Sequence, residues 1–138
     1  MKQAFHTLTV RTHGQGLYEF TGALAGFLRG AGIENGLATC FIRHTSASLV
    51  IQENADPDVR RDLRDFFEWL AKSGPPFRHT AEGPDDMPSH IRAALTQTSI
   101  AIPIHKGRPA LGAWQGVHVF EHRDAAHTRE VTVHAIGE

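Results

Sequence analysis

"LATCFIRHTSASLVIQENADPDVRRDLRDFFEWL", residues 37–70, changes periodicity partway along, and that change decides the fold class. Residues 37–42 and 48–51 are apolar and rich in strand-forming types. "RHTSA" between them is small and polar, suited to a turn or a tightly constrained loop. From Asp56 onward the period is helical. Val59, Leu63, Phe66, Phe67 and Leu70 share one face, Asp56 is placed to cap the first turn, and Pro57 fits the first helical position.

Reading outward, residues 3–12 alternate, with Ala4, His6, Leu8 and Val10 on one side of an expected strand. In residues 16–32, Leu17, Phe20, Leu24, Phe27 and Leu28 fall at helical spacing until Gly30 and Gly32 end the run. Downstream, residues 71–88 carry glycine, proline and charge without periodicity. The segment is long for a connection inside a small domain, which marks it as a candidate functional loop. A short helix opened by Pro88 and Ser89 follows, then strands over 99–104, 114–120 and 130–136, punctuated by Gly107, Gly112 and Gly116. The order predicts one α+β domain over residues 1–138, a largely antiparallel β-sheet packed by two main helices and one short helix.

Composition narrows the function. A chain of 138 residues, 41% hydrophobic and 21% charged, suits one soluble domain. No run reaches the length of a membrane span, and the first ten residues lack the pattern of a signal peptide, so the expected compartment is the cytoplasm. A net charge of -1 and a pI near 6.8 argue against a nucleic-acid partner. Cys40 is the only cysteine and sits in an apolar run, so an intrachain disulfide is excluded and a buried small hydrophobe is expected. Ten histidines are many for this size, and histidine is both a metal ligand and a proton carrier near neutral pH.

Four segments hold the candidate chemistry. In the first, His44 is a metal ligand or general base, or an exposed turn residue, and Ser46 offers a hydroxyl to an anion. In the second, His79 and His90 bracket Glu82, Asp85 and Asp86, a donor inventory that zinc accepts; either aspartate also suits a helix N-terminus. In the third, Glu53, Asn54 and Asp56 form a polar cluster at a strand-to-helix junction, with capping as the plainer role of Asp56. In the fourth, Lys106 and Arg108 flank a turn glycine as a phosphate clamp or a solvated face. There too Trp114 supplies a stacking surface, Gln115 a polar handle, and Glu121 a carboxylate able to orient an imidazole. His6, His13, His105, His118, His127 and His134 lack comparable surroundings and are assigned structural places.

Taken in order, "RHTSASLVIQENADPDVRRDL" (43–63), "HTAEGPDDMPSHI" (79–91), "IPIHKGRPALGAWQGVHVFEHR" (102–123) and "VTVHAIGE" (131–138) resemble the YjbQ-like family of secondary thiamine-phosphate synthase enzymes. The resemblance runs from about residue 4 to 138; Ala113 departs from it, standing where the family usually has threonine. It implies an α+β homotrimer with a polar pocket at or near subunit contacts. It also implies a divalent metal, zinc first with magnesium or manganese as alternatives, held by His44, His79 and His90.

The implied activity joins a hydroxymethylpyrimidine diphosphate to a thiazole phosphate with release of pyrophosphate. On that reading Lys106 and Arg108 neutralise the departing diphosphate, Trp114 stacks on the pyrimidine and Gln115 hydrogen-bonds it. Ser46, Asn54 and Glu121 complete the substrate contacts, and Glu53, Asp56 or Asp86 moves a proton or positions water. Two other readings use the same residues: metal-assisted hydrolysis of a phosphoester, and a non-catalytic trimer that binds a metabolite or metal.

Overall fold

A computed structural model describes residues 1–72 and 76–138. The chain runs β1 (Lys2–His13), β2 (Gly16–Glu19), α1 (Thr21–Ala31), β3 (Asn35–Ile42), β4 (Ala47–Glu53), α2 (Pro57–Leu70), α3 (Asp86–Leu95), β5 (Ser99–His105), β6 (Arg108–Pro109), β7 (Gln115–Glu121) and β8 (Ala126–Gly137). The fold is α+β as the sequence predicts, and every strand pairing is antiparallel. The strands divide between two sheets, however, of order β1-β8-β3-β5-β6 and β2-β7-β4.

Alternation builds the core. Ala38, Cys40 and Ile42 of β3, Val131, Val133 and Ala135 of β8 and Ile100, Ile102 and Ile104 of β5 point inward from the larger sheet. They meet Leu49 of β4, Val117 and Val119 of β7, and Leu24 and Leu28 of α1 in one cluster. Cys40 is fully buried as expected, and burial pushes its thiol pKa up to about 12, so it stays a protonated hydrophobe. The opposite faces of the small sheet and the large one fare differently. Phe120 of β7 meets Phe67 of α2 edge to face at 5.1 Å, so α2 covers the small sheet. Phe5, Leu37 and Phe41 on the outer face of the large sheet stay exposed, as do Phe66, Trp69 and Leu70 of α2.

Local chemistry explains most boundaries. The Asp56 carboxylate accepts from the Asp58 amide at 2.9 Å, the cap predicted for α2. The helix expected over residues 16–32 begins only at Thr21. Leu17 belongs instead to β2, which pairs with β7 through Gly16↔Glu121 and Glu19↔His118, so a non-local ladder overrides local spacing. The short helix starts at Asp86, two residues before Pro88, which places Asp86 in its first turn. Lys106 and Gly107, with φ of 51° and 72°, make the two-residue reversal between β5 and β6.

Candidate metal centre

Asp86 and His90 lie four residues apart on α3 and so project from the same face. His79 arrives from the preceding loop. The Asp86 Oδ2 lies 2.6 Å from His79 Nε2 and 3.0 Å from His90 Nε2. Among the described residues these three form the one group whose ligand atoms all lie within 4.8 Å of one another. The other carboxylate oxygen, Oδ1, accepts from Arg123 Nη1 at 2.6 Å. Arg123 also donates to Asp85 Oδ2 at 2.9 Å and to the Glu82 carbonyl at 2.9 Å, so one guanidinium fixes the whole acidic turn. Burial raises the cost of charge on Asp86, but the hydrogen bond from His79 and the positive charges around it more than offset this and hold its pKa below the usual carboxylate range.

The protons on His90 identify what the group lacks. Its Nδ1 lies 2.9 Å from the Thr45 carbonyl, which can only accept, so Nδ1 carries the hydrogen. A neutral imidazole then has a lone pair on Nε2, facing an ionised Asp86 oxygen. That contact is favourable only with a second proton on His90 or a cation between the two atoms. Two imidazole nitrogens and a carboxylate oxygen, with one imidazole oriented by a backbone carbonyl, match the donor set of an open zinc site. The residues therefore fit a divalent metal.

His44, expected as the third ligand, is placed elsewhere. Its Nε2 accepts from the Glu130 amide at 2.9 Å, and its Nδ1 faces the Arg129 guanidinium at 3.4 Å. Desolvation and Arg129 lower its pKa, and the guanidinium opposes a metal cation at that edge of the ring. Asp86, and not His44, stands with His79 and His90. His44 does line a cavity of about 300 Å³ together with Thr45, His90, Thr96 and Thr98, so it remains a wall beside the centre.

Two expected substrate contacts are buried within the protomer and paired with Arg129. Glu121 is fully buried, its oxygens held by Arg129, Thr12 and the amides of His122 and Arg123. Burial alone would raise its pKa, yet the bonds from Arg129 and Thr12 hold it low. Ser46 is buried and accepts from Arg129 at 3.0 Å. Asp56 is the exposed cap of α2, accepting from the Asp58 amide through one carboxylate oxygen.

The remaining expected residues lie at other ends of the sheets. β4 pairs with β7 from Ala47↔Glu121 to Glu53↔Gln115. Glu53, Asn54, Trp114 and Gln115 therefore stand ~20 Å from the Ser46 end, at about 3.3 Å per residue. There Asn54 donates to Glu19 at 3.0 Å, Gln115 accepts from the Gly112 amide at 2.8 Å, and Trp114 is 66% exposed. Lys106 and Arg108 sit at the start of β3, since Asn35 pairs with His105, while His44 follows the end of that strand. One protomer does not gather these groups around the histidines.

Other site residues escape sequence reading. Arg123 was available within "FEHR", but nothing local pairs it with aspartates 37 and 38 residues away. Arg92 is buried and donates to the carbonyls of Phe67, Ala71 and His122, closing the end of α2 and fixing α3 to the end of β7. Ser89 donates to the same His122 carbonyl at 2.7 Å. His122 itself is fully buried, its Nε2 2.8 Å from Ser48 Oγ, and burial followed by the charge on Arg92 lowers its pKa to about 3.

Comparisons with known proteins agree with this architecture. The family model described as UPF0047 protein YjbQ-like matches residues 6–138. The UPF0047 protein sll1880 of Synechocystis is 51% identical over 138 residues, covering 99% of this chain and 94% of that protein. The UPF0047 protein YjbQ of Escherichia coli O157:H7 is 38% identical over 133 residues, covering 96% of each. Among solved structures, a conserved hypothetical protein from Thermus thermophilus superposes with a TM-score of 0.85 at 32% identity, covering 95% of this chain and 99% of that one. A hypothetical protein from Aeropyrum pernix gives a TM-score of 0.89 at 28% identity, covering 98% and 99%. With the match running through all four chemistry-bearing segments, the chain belongs to the UPF0047 YjbQ-like family.

Proposed function

We propose that the protein is a metal-dependent enzyme acting on phosphorylated small molecules, with its metal, zinc before magnesium or manganese, held by His79, Asp86 and His90. The observation that carries this reading is the His90 imidazole, whose two nitrogens both face acceptors while the Asp86 carboxylate points its free oxygen at both histidines. Nitrogen donors favour zinc over magnesium, which prefers oxygen. A cation held there would supply positive charge to the oxygens of a departing diphosphate or to a water. The chain's own part is positional: Arg123 holds Asp86, Thr45 holds His90, and His44 and Thr96 shape the adjoining cavity.

The reaction assigned is the synthase chemistry implied by the family resemblance, as a secondary activity of a cytoplasmic homotrimer. The exposed apolar face around Phe5, Leu37 and Phe41 supports self-association. A second reading, phosphoester hydrolysis, is favoured by the distance of Trp114 and Gln115 from the histidines within one protomer. The test has two arms. Elemental analysis of the purified protein is expected to find one divalent metal per chain, lost in His79→Ala and His90→Ala with the fold retained by circular dichroism. Full metal content in both variants would remove the site. Product analysis then separates the reactions, since release of phosphate without a second organic substrate selects hydrolysis.

A further inference from the structure

We infer that the groove between α2 and the β1–β2 hairpin is a phosphate-binding subsite, taking the phosphoryl or diphosphoryl group of a small anionic ligand. The groove has a volume of about 400 Å³, and Arg60, Arg61 and Arg64 line one wall of it. Leu17, Tyr18 and His13 form the other, and among the described residues no carboxylate lines it. Arg61 and Arg64 are paired with Asp58 and Asp65, which lie outside the lining, while Arg60 is bonded only to a backbone carbonyl, so the groove carries an excess of positive charge that an anion would neutralise.

The arginines keep donors to spare. Arg60 gives one N–H to the Asn54 carbonyl at 3.1 Å, Arg61 one to Asp58 at 2.8 Å, and Arg64 two to Asp65. Each guanidinium has five N–H groups, so most remain for planar, two-pronged contact with phosphate oxygens. Pro57 also lines the groove, placing the positive end of the α2 dipole there. The opposite wall is held in shape: Tyr18 donates to the Gly14 carbonyl at 2.8 Å, accepts from the His13 amide at 3.1 Å, and meets the His13 ring edge to face.

The next cavity along the same flank shares Gln15 with the groove but has the opposite character, lined by Asp65, Glu68, Asp85 and Asp124 beside Lys72 and Arg92. An anion is thus confined to the arginine end. Asp85 is also bound by Arg123, which holds Asp86, so the trough reaches from the arginines to the acidic turn of the metal loop. Lys106 and Arg108, the phosphate clamp expected from sequence, lie on a different edge of the molecule. The inference rests on the phosphorylated-ligand reading above and not on the metal.

The experiment titrates inorganic pyrophosphate into chelator-treated protein at low salt, followed by calorimetry and by arginine side-chain resonances. Saturable binding that shifts Arg60 and Arg64 is expected, weakened at least ~10-fold in Arg60→Gln/Arg64→Gln, the loss of one or two charge-assisted hydrogen bonds. Lys106→Gln/Arg108→Gln is expected to bind like the parent. Unchanged affinity in the first variant, shifts centred on Lys106 and Arg108, or absence of binding at millimolar pyrophosphate would each overturn the inference. If the double variant melts early, the resonance map of the parent protein decides. Because the protein is metal-free, a failure here and a failure of the metal centre are read separately.

Discussion

Arg123 Nη1 lies 2.6 Å from Asp86 Oδ1, on the opposite oxygen of the carboxylate from the one that faces His79 and His90. The carboxylate is thereby divided, one oxygen for the framework and one for the centre. Removing the guanidinium leaves the buried Oδ1 without its partner and Asp86 held from the histidine side alone.

Arg123→Ala is accordingly expected to weaken divalent metal binding roughly 10- to 100-fold, the usual effect of losing a group that orients a ligand. Competition against a chelating dye measures it. Arg123→Lys restores charge but not the two-sided grip on Asp85 and Asp86, and is expected to recover only part of the affinity. Equal affinity in all three proteins would refute the positioning role.

Glu121→Gln tests the assignment of that residue to the framework. It keeps the shape but strips the charge that balances buried Arg129, and breaking a buried pair by removing one partner costs about 3–5 kcal/mol. Urea unfolding is expected to show a loss of that order with metal content unchanged in the folded protein. A loss of metal without a loss of stability would return Glu121 to the site.

Acid sensitivity should follow His122. Its folded pKa is about 3 against an ordinary value of 6.5, so between those limits the unfolded chain binds a proton that the folded chain refuses. The stabilising effect of the neutral ring is complete above pH 6.5 and is lost as the pH falls toward 3, at up to ~1.4 kcal/mol per pH unit. In His122→Gln the slope of unfolding free energy across that window is expected to flatten. Glu121, with its pKa held low, adds a second loss below its ordinary value of 4.5.

The outer face of the large sheet predicts assembly. Phe5 of β1 and Leu37 and Phe41 of β3, the strands on either side of β8, are 70%, 41% and 48% exposed, and Phe5 stacks on His134 of β8 at 4.4 Å between ring centres. Phe5→Asp/Phe41→Asp is expected to convert a trimer to monomer in sedimentation or light scattering, with little change in the secondary structure. A parent protein that already sediments as a monomer would end the trimer reading.

How far the sequence carried this result depended on the range of each interaction. The α2 helix was legible because its cap, its proline and its apolar face all lie within fifteen residues. The strand β2 was not, since Leu17 and Phe20 fit a helical stripe and only the ladder to β7 makes residues 16–19 extended. In the centre, His79 and His90 were found because their segment is short and unusual. His44 entered the ligand set through the family resemblance; in the structure Arg129 and the Glu130 amide occupy its ring, and Asp86 is the group that stands beside His79 and His90. Glu121 misled for the same reason: its partner Arg129 lies on the far side of a turn, and burial is not written in the local sequence. The groups at Asn54, Trp114, Lys106 and Arg108 were recognised as polar clusters, but strand direction, invisible in composition, sets them apart.

Arg92 gives the centre an unequal attachment to the chain. Two of the three residues of the candidate centre ride on α3, which Arg92 and Ser89 tie to the ends of α2 and β7, while His79 comes from the segment before it. Lengthening the connection between α2 and His79 should therefore leave Asp86 and His90 where they are and detune only the third donor.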